Sequence, residues 1–177
     1  NQIGGQDELV FDGASFAVNA AGEKCIQAIQ FATALVPITL HKTEHGIELS
    51  GPQQPLMEEL ETVYQALVCG LRDYVEKNRF LGVVIGLSGG IDSALTMALA
   101  VDALGAERVQ AVMMPSRYTS QISLDDAAEM AAILGVQYRN INIENLFQTF
   151  LRELEDVFAG TQPDATEENI QARCRGV

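Results

Sequence analysis

Leu81-Gly82-Val83-Val84-Ile85-Gly86-Leu87-Ser88-Gly89-Gly90-Ile91-Asp92-Ser93 is the stretch that decides the fold of this 177-residue chain. Residues 81–87 form a short continuous apolar run, the pattern of a buried parallel strand. A helix is predicted over 91–104, stopping at Gly105. The junction between them has the chemistry of a phosphate site. Gly89 and Gly90 let the backbone turn tightly and bring bare N–H groups against an anion. Ser88 and Ser93 add hydroxyl donors, and the positive end of the helix aims at the same point. Asp92 repels a phosphate unless a divalent cation lies between them, and Mg²⁺ favours one or two carboxylates plus phosphate oxygens. The loop is not a Walker A motif, because it carries no Lys, and its glycine spacing does not fit G-x-G-x-x-G. A plain strand-to-helix turn would account for a bare Ser-Gly-Gly. The full Ser-Gly-Gly-x-Asp-Ser at such a junction favours phosphate binding.

Working outward toward the carboxyl end, strand and helix alternate. Strands are predicted over 109–114 and 136–143, with helices over 123–134, 145–158 and 166–175. Ser123 is read as the N-cap ahead of Asp125-Asp126, and Gly135 as the stop of that helix. Such alternation implies βαβ units, hence an α/β fold with an open parallel sheet and helices on both faces. Toward the amino end, Leu56, Leu60, Val63, Tyr64, Leu67, Leu71, Tyr74 and Val75 fall at helical spacing, with Glu58, Glu59 and Glu61 in the first turns. Residues 41–55 hold Gly, Pro and Ser without a sustained period and read as a linker. Ahead of them, 8–11, 15–18, 25–29 and 35–38 read as short strands separated by Asp12-Gly13 and Asn19-Ala20-Ala21-Gly22 turns, with Pro37 marking a strand end or edge.

Bulk composition narrows the partners. With 47% apolar residues a packed core forms without metal staples or disulfides. Cys25, Cys69 and Cys174 are odd in number and scattered, form no C-x-x-C and no ligand cluster with His41 or His45, and suit a reducing cytoplasm. No apolar run reaches the roughly eighteen residues a membrane helix requires. A net charge of −13 with 11 Lys and Arg argues against nucleic acid as a partner. An acidic nucleotide binder must supply positive potential through backbone amides, helix termini and a cation.

Ser88-Gly89-Gly90-Ile91-Asp92-Ser93 resembles the PP-loop of the ATP-pyrophosphatase superfamily, whose members split ATP between its α and β phosphates. Met114-Pro115-Ser116-Arg117-Tyr118-Thr119-Ser120 and Glu168-Asn169-Ile170-Gln171-Ala172-Arg173-Cys174-Arg175 are similar to segments of glutamine-dependent NAD synthetases. Residues 1–15, Asn1-Gln2-Ile3-Gly4-Gly5-Gln6-Asp7-Glu8-Leu9-Val10-Phe11-Asp12-Gly13-Ala14-Ser15, resemble the closing β segment of the nitrilase-like glutaminase domain that precedes that synthetase. The resemblance implies a division into 1–45, the end of the glutaminase domain, 46–55, a linker, and 56–177, the first part of the synthetase domain. It implies ATP contacts from Gly86, Leu87, Ser88, Gly89, Gly90, Ile91, Asp92, Ser93, Met114 and Arg117, Mg²⁺ at Asp92, and deamido-NAD contacts from Asn169 and Arg173. The implied reaction is ATP-dependent amidation of deamido-NAD by ammonia drawn from glutamine, in a cytoplasmic homo-oligomer. No covalent nucleophile is expected in this stretch. Cys25 does not match the glutaminase nucleophile, and that domain's Glu-Lys-Cys trio and the later synthetase ligands are expected outside these residues. Another PP-loop amide or thio-transfer enzyme, or an ATP-binding module without catalysis, shares the loop and stands as the alternative.

Overall fold

The computed structural model describes residues 1–160 and 165–176. They divide into two compact units, Asn1–Leu81 and Gly82–Val177.

The first unit is built from three antiparallel pairs and one long helix. β1 (Ile3–Gln6) pairs with β2 (Leu9–Asp12), β3 (Phe16–Val18) with β4 (Lys24–Gln27), and β5 (Thr39–Thr43) with β6 (Gly46–Ser50). The β5–β6 hairpin falls where the sequence reads as linker. Its two-residue turn, Glu44-His45, is followed by Gly46 at φ 133°, a conformation that favours glycine. The Leu40↔Leu49 and Lys42↔Ile47 pairs hold the register, and the alternation in Ile38-Thr39-Leu40-His41 and Ile47-Glu48-Leu49-Ser50 is a short strand period that the linker reading passes over. Residues 35–38 form no strand. The ladder begins two residues after Pro37, which has no N–H to give it.

α1 (Glu59–Lys77) starts three residues later than the apolar period suggests, with Glu59 and Glu61 in its first turn. β1 packs on α1 at Gly70, where a Cβ on Gly5 would come within 3.2 Å of the Gly70 Cα. The Gly5 N–H donates to Asp73 at 2.8 Å, and Lys77 holds the same carboxylate at 2.9 Å while donating to the Gly5 carbonyl. Val68, Cys69 and Val75 are buried, whereas Leu60, Leu67 and Tyr74 of the expected stripe stay exposed.

The second unit is a three-stranded parallel sheet, β7 (Val83–Gly86), β8 (Val109–Met113) and β9 (Gln137–Asn140), in the order β7-β8-β9. α2 (Ile91–Leu104) follows β7, and a single 3-10 turn, Ala106–Arg108, leads into β8. α3 (Gln121–Leu134) follows β8, and α4 (Glu144–Glu153) and α5 (Ala165–Cys174) follow β9. α2 packs against β7 and β8, α3 against β8 and β9, and the two helices against each other. Val109, Ala111 and Met113 on β8 and Met97 and Ala100 on α2 are buried.

α2 has the bounds predicted for it, and Gly135 ends α3 in the left-handed conformation at φ 67°. Four details differ from expectation. α4 stops at Glu153, five residues short of the predicted end at 158. β7 alternates in burial, with Val84 67% exposed, because successive side chains point to opposite faces and the face that Val84 occupies is open, as the same alternation on the central strand β8 shows. The N-cap of α3 is Ser120, three residues before Ser123, and its hydroxyl accepts from the Ser123 N–H at 3.2 Å. β9 closes at Asn140, but hydrogen bonds from Ile141 N–H to Met113 O and from Ile143 N–H to Pro115 O continue the alignment past the strand.

Candidate functional site

The carboxyl ends of β7 and β8 lie side by side, and the segments that follow them face a common cleft. Leu87 extends β7 by one more bond, its N–H donating to Val112 O at 2.9 Å, and its side chain is buried. The chain then turns sharply at Gly89, where φ is 79°. A Cβ at Gly89 would lie 2.4 Å from the backbone oxygen of Ser123 and 2.6 Å from its Cα. Gly89 is therefore fixed twice, by its backbone conformation and by the first turn of α3 against it.

Two serines knit the loop together. Ser93 Oγ accepts from the Ser88 N–H at 3.2 Å, lies 3.0 Å from Ser88 Oγ, and donates to Gly90 O at 3.0 Å. Ser88 Oγ in turn accepts from the Gly90 N–H at 3.2 Å. α2 starts from Gly90 with no side-chain cap, whereas α3 is capped by Ser120. The first N–H groups of a helix have no partner inside it. The Gly90 N–H is taken by Ser88 Oγ, but among the described residues the next N–H groups, of Ile91, Asp92 and Ser93, have no side-chain cap, which suits an external anion. Asp92 is exposed in the first turn of α2, and among the described residues its side chain has no hydrogen-bond partner, while its backbone oxygen accepts from Thr96 Oγ1 at 2.8 Å.

The cleft has a volume of about 290 Å³ and is lined by Gly86, Leu87, Ser88, Met113, Met114, Thr119 and Arg175. Four of these, Gly86, Leu87, Ser88 and Met114, are residues expected from the sequence to meet a nucleotide. Gly89, Gly90, Ile91, Asp92 and Ser93 form the turn and helix start beside it. Arg117 does not line the cleft. Its Nε donates to Glu144 Oε1 at 2.7 Å and its backbone N–H to Oε2 at 3.0 Å. The hydrogen bonds from Arg117, side chain first and backbone second, hold the Glu144 carboxyl below its ordinary range.

α5 reaches the cleft by the flank that carries Gln171 and Arg175. Ile170 and Cys174, four apart, are buried in a cluster with Ile143 and Phe147. That stripe divides the rest of the helix. Gln171 and Arg175 stand on one side, where Gln171 donates to Ser116 Oγ and Arg175 Nε donates to Met114 O at 3.2 Å. Asn169 and Arg173 stand on the other side, exposed and outside the cleft lining. Met113, Thr119 and Arg175 were not singled out by the sequence. The signal available was position, since Met113 ends the second strand of the sheet and Thr119 and Arg175 belong to the 114–120 and 168–175 segments.

Comparison with known proteins follows this geometry. A family model described as NAD synthase matches residues 63–177. The glutamine-dependent NAD(+) synthetase of Acinetobacter baylyi is 47% identical over 99% of this chain, which covers 32% of that protein. The chain spans about a third of the length of the curated relatives it matches. Among solved structures, the glutamine-dependent NAD+ synthetase from Acinetobacter baumannii in complex with ADP superposes with a TM-score of 0.93 at 50% identity, over 99% of this chain and 33% of that one. The NH3-dependent NAD synthetase from Campylobacter jejuni superposes with a TM-score of 0.58 at 29% identity, over 67% of this chain and 49% of that one.

Proposed function

The chain belongs to the NAD synthase family, and from that premise we propose that it carries the ATP-binding edge of a glutamine-dependent enzyme that amidates deamido-NAD to NAD. The observation that carries the reading is the Ser88–Ser93 loop at the uncapped start of α2, beside the 290 Å³ cleft. Glutamine dependence is favoured because relatives of that kind align over 99% of the chain, whereas the ammonia-dependent structure aligns over 67% of it. On this reading residues 1–45 close a glutaminase domain, 46–55 join it to the synthetase and 56–177 begin the synthetase. The enzyme is cytoplasmic and homo-oligomeric, and the free thiols of Cys25, Cys69 and Cys174 agree with a reducing compartment.

A carboxylate and ammonia do not condense unaided in water, so the reaction must install a leaving group. A nicotinate carboxylate oxygen of deamido-NAD attacks the α-phosphorus of ATP. The bond from that phosphorus to the bridging oxygen breaks, and pyrophosphate leaves with the electron pair. Ammonia then attacks the acyl carbon, the carbon–oxygen bond to AMP breaks, and a proton is lost from nitrogen. The task of this chain is electrostatic. The hydroxyls of Ser88 and Ser93, the amides around Gly89 and Gly90 and the first turn of α2 stabilise charge as it develops on the departing pyrophosphate. The apolar side chains of Leu87, Met113 and Met114 offer a wall for the adenine side of the nucleotide, and Arg117 lies at the edge of that segment. Asn169 and Arg173 present an amide and a guanidinium, four apart, to the deamido-NAD substrate.

Mg²⁺ fits at Asp92 as a shared ion rather than a caged one. Among the described residues no group of three or more His, Cys, Asp or Glu side chains gathers. The free Asp92 carboxylate would supply one ligand, with substrate phosphates and water completing the shell. When bound, the cation neutralises phosphate charge. The test is pyrophosphate release by the intact protein with ATP and Mg²⁺, with and without deamido-NAD. Release that depends on deamido-NAD supports the reading. Release dependent on a different acceptor moves the substrate assignment to another PP-loop reaction, and ATP binding without any release leaves a nucleotide-binding module.

A further inference from the structure

We propose that Gln171 is a positioning residue of the nucleotide cleft, acting through the Ser116 hydroxyl. The inference deepens the proposed function and rests on it. Ser116 is buried and is the hub of the turn that follows β8. Its Oγ accepts from the Tyr118 N–H at 3.3 Å and from the Gln171 side-chain amide. Its own N–H donates to Thr119 Oγ1 at 3.1 Å, and its carbonyl accepts from the Thr119 N–H at 3.0 Å. Thr119 is thus held by Ser116 on both its side chain and its backbone, and Thr119 lines the cleft.

Gln171 reaches this hub from outside the turn, 55 residues along the chain. One helical turn further on, Arg175 donates to Met114 O, and both Arg175 and Met114 also line the cleft. The apolar side of α5, Ile170 and Cys174, fixes the helix against α4 but does not specify its register against residues 114–119. Apolar packing is non-directional, whereas a hydrogen bond to a buried hydroxyl is satisfied at one position only. The Gln171 amide therefore sets which residue of α5 faces Ser116, and with it where Arg175 sits.

The experiment is an ATP titration of the intact protein carrying Gln171→Met, Ser116→Ala and both together. Methionine keeps the length and packing of glutamine and removes its amide. Loss of one neutral hydrogen bond that holds the cleft wall predicts a rise in Kd for ATP of about five- to tenfold for Gln171→Met. If Gln171 acts through Ser116, the double variant binds no more weakly than Ser116→Ala alone. At saturating ATP, kcat stays within about twofold of wild type, because the change is in ground-state seating. Ile170→Val is the control. It loosens the same helix from its apolar side, lowers Tm and leaves Kd unchanged. Kd effects of Gln171→Met and Ser116→Ala that multiply in full overturn the inference, as does a wild-type Kd for Gln171→Met. Should Gln171→Met not fold, a wild-type Kd for Ser116→Ala overturns it and a raised Kd supports it. Failure of the wild-type protein to bind ATP overturns the proposed function itself, an outcome visible before any variant is compared.

Discussion

Gly89 and Gly90 are neighbours in one loop, yet substitution by alanine should have very different consequences. At Gly89 φ is 79°, and a new Cβ would lie 2.4, 2.6 and 2.9 Å from the O, Cα and C of Ser123. The left-handed conformation costs a residue with a Cβ about 1–2 kcal/mol. The obstruction is backbone in the first turn of α3, so relief requires moving the helix, at about 1–3 kcal/mol for overpacking. Together Gly89→Ala costs about 2–5 kcal/mol. At Gly90 φ is −96° and ψ 160°, which any residue adopts, and the nearest atom is the Ser88 hydroxyl at 3.3 Å, a side chain that can give. Gly90→Ala costs up to about 1 kcal/mol, for a poorer N-cap. Amide hydrogen exchange in the intact protein reads the difference locally. Peptides from the first turn of α3 should exchange about 30-fold faster or more in Gly89→Ala and within a few-fold of wild type in Gly90→Ala. Equal exchange in the two variants would refute the argument that α3 constrains the loop.

Asp92→Ala should abolish Mg²⁺-dependent pyrophosphate release while leaving thermal stability near wild type, since its carboxylate is exposed in the first turn of α2; unchanged turnover would refute its role. Ser93→Ala removes the acceptor for the Ser88 N–H and the partner of Ser88 Oγ, and should raise the Kd for ATP about tenfold, measured by titration. Arg117 holds the Glu144 carboxyl below its ordinary value, so the stability this pair gives is present above the unfolded carboxylate range and is lost as pH falls through the folded value. The denaturation midpoints of wild type and Glu144→Gln should therefore differ at about pH 7 and converge as pH falls through and below the ordinary carboxylate range, and a constant difference would count against the pair.

What could be read from the sequence was whatever a single local rule controls. A Gly-Gly pair, an apolar run and a helix start meet at 81–93, and the loop and α2 follow from them, just as the end of α3 follows from Gly135. Elements decided by competition between neighbours were harder. Ser120 and Ser123 both satisfy the composition of an N-cap, and only the path of the chain out of β8 selects Ser120. The β5–β6 hairpin lacks an Asn-Gly or Asp-Gly turn, and each of its strands carries only a short alternation, with Leu40 and Leu49 as its one apolar pair across the ladder, too brief to stand out beside the surrounding Gly and Pro. In α5 the pairs Asn169/Arg173 and Gln171/Arg175 have the same four-residue spacing. Which pair meets the 114–119 segment depends on the burial of Ile170 and Cys174 against α4, and that contact is tertiary.

Isotope transfer reveals whether the cleft edge serves an adenylation step. The intact protein is given ATP, Mg²⁺, an ammonia source and deamido-NAD labelled with ¹⁸O in the nicotinate carboxylate. AMP should carry one ¹⁸O on its phosphate, because the attacking carboxylate oxygen leaves with AMP when ammonia takes its place. Product formed with unlabelled AMP, or no release of AMP, would contradict it.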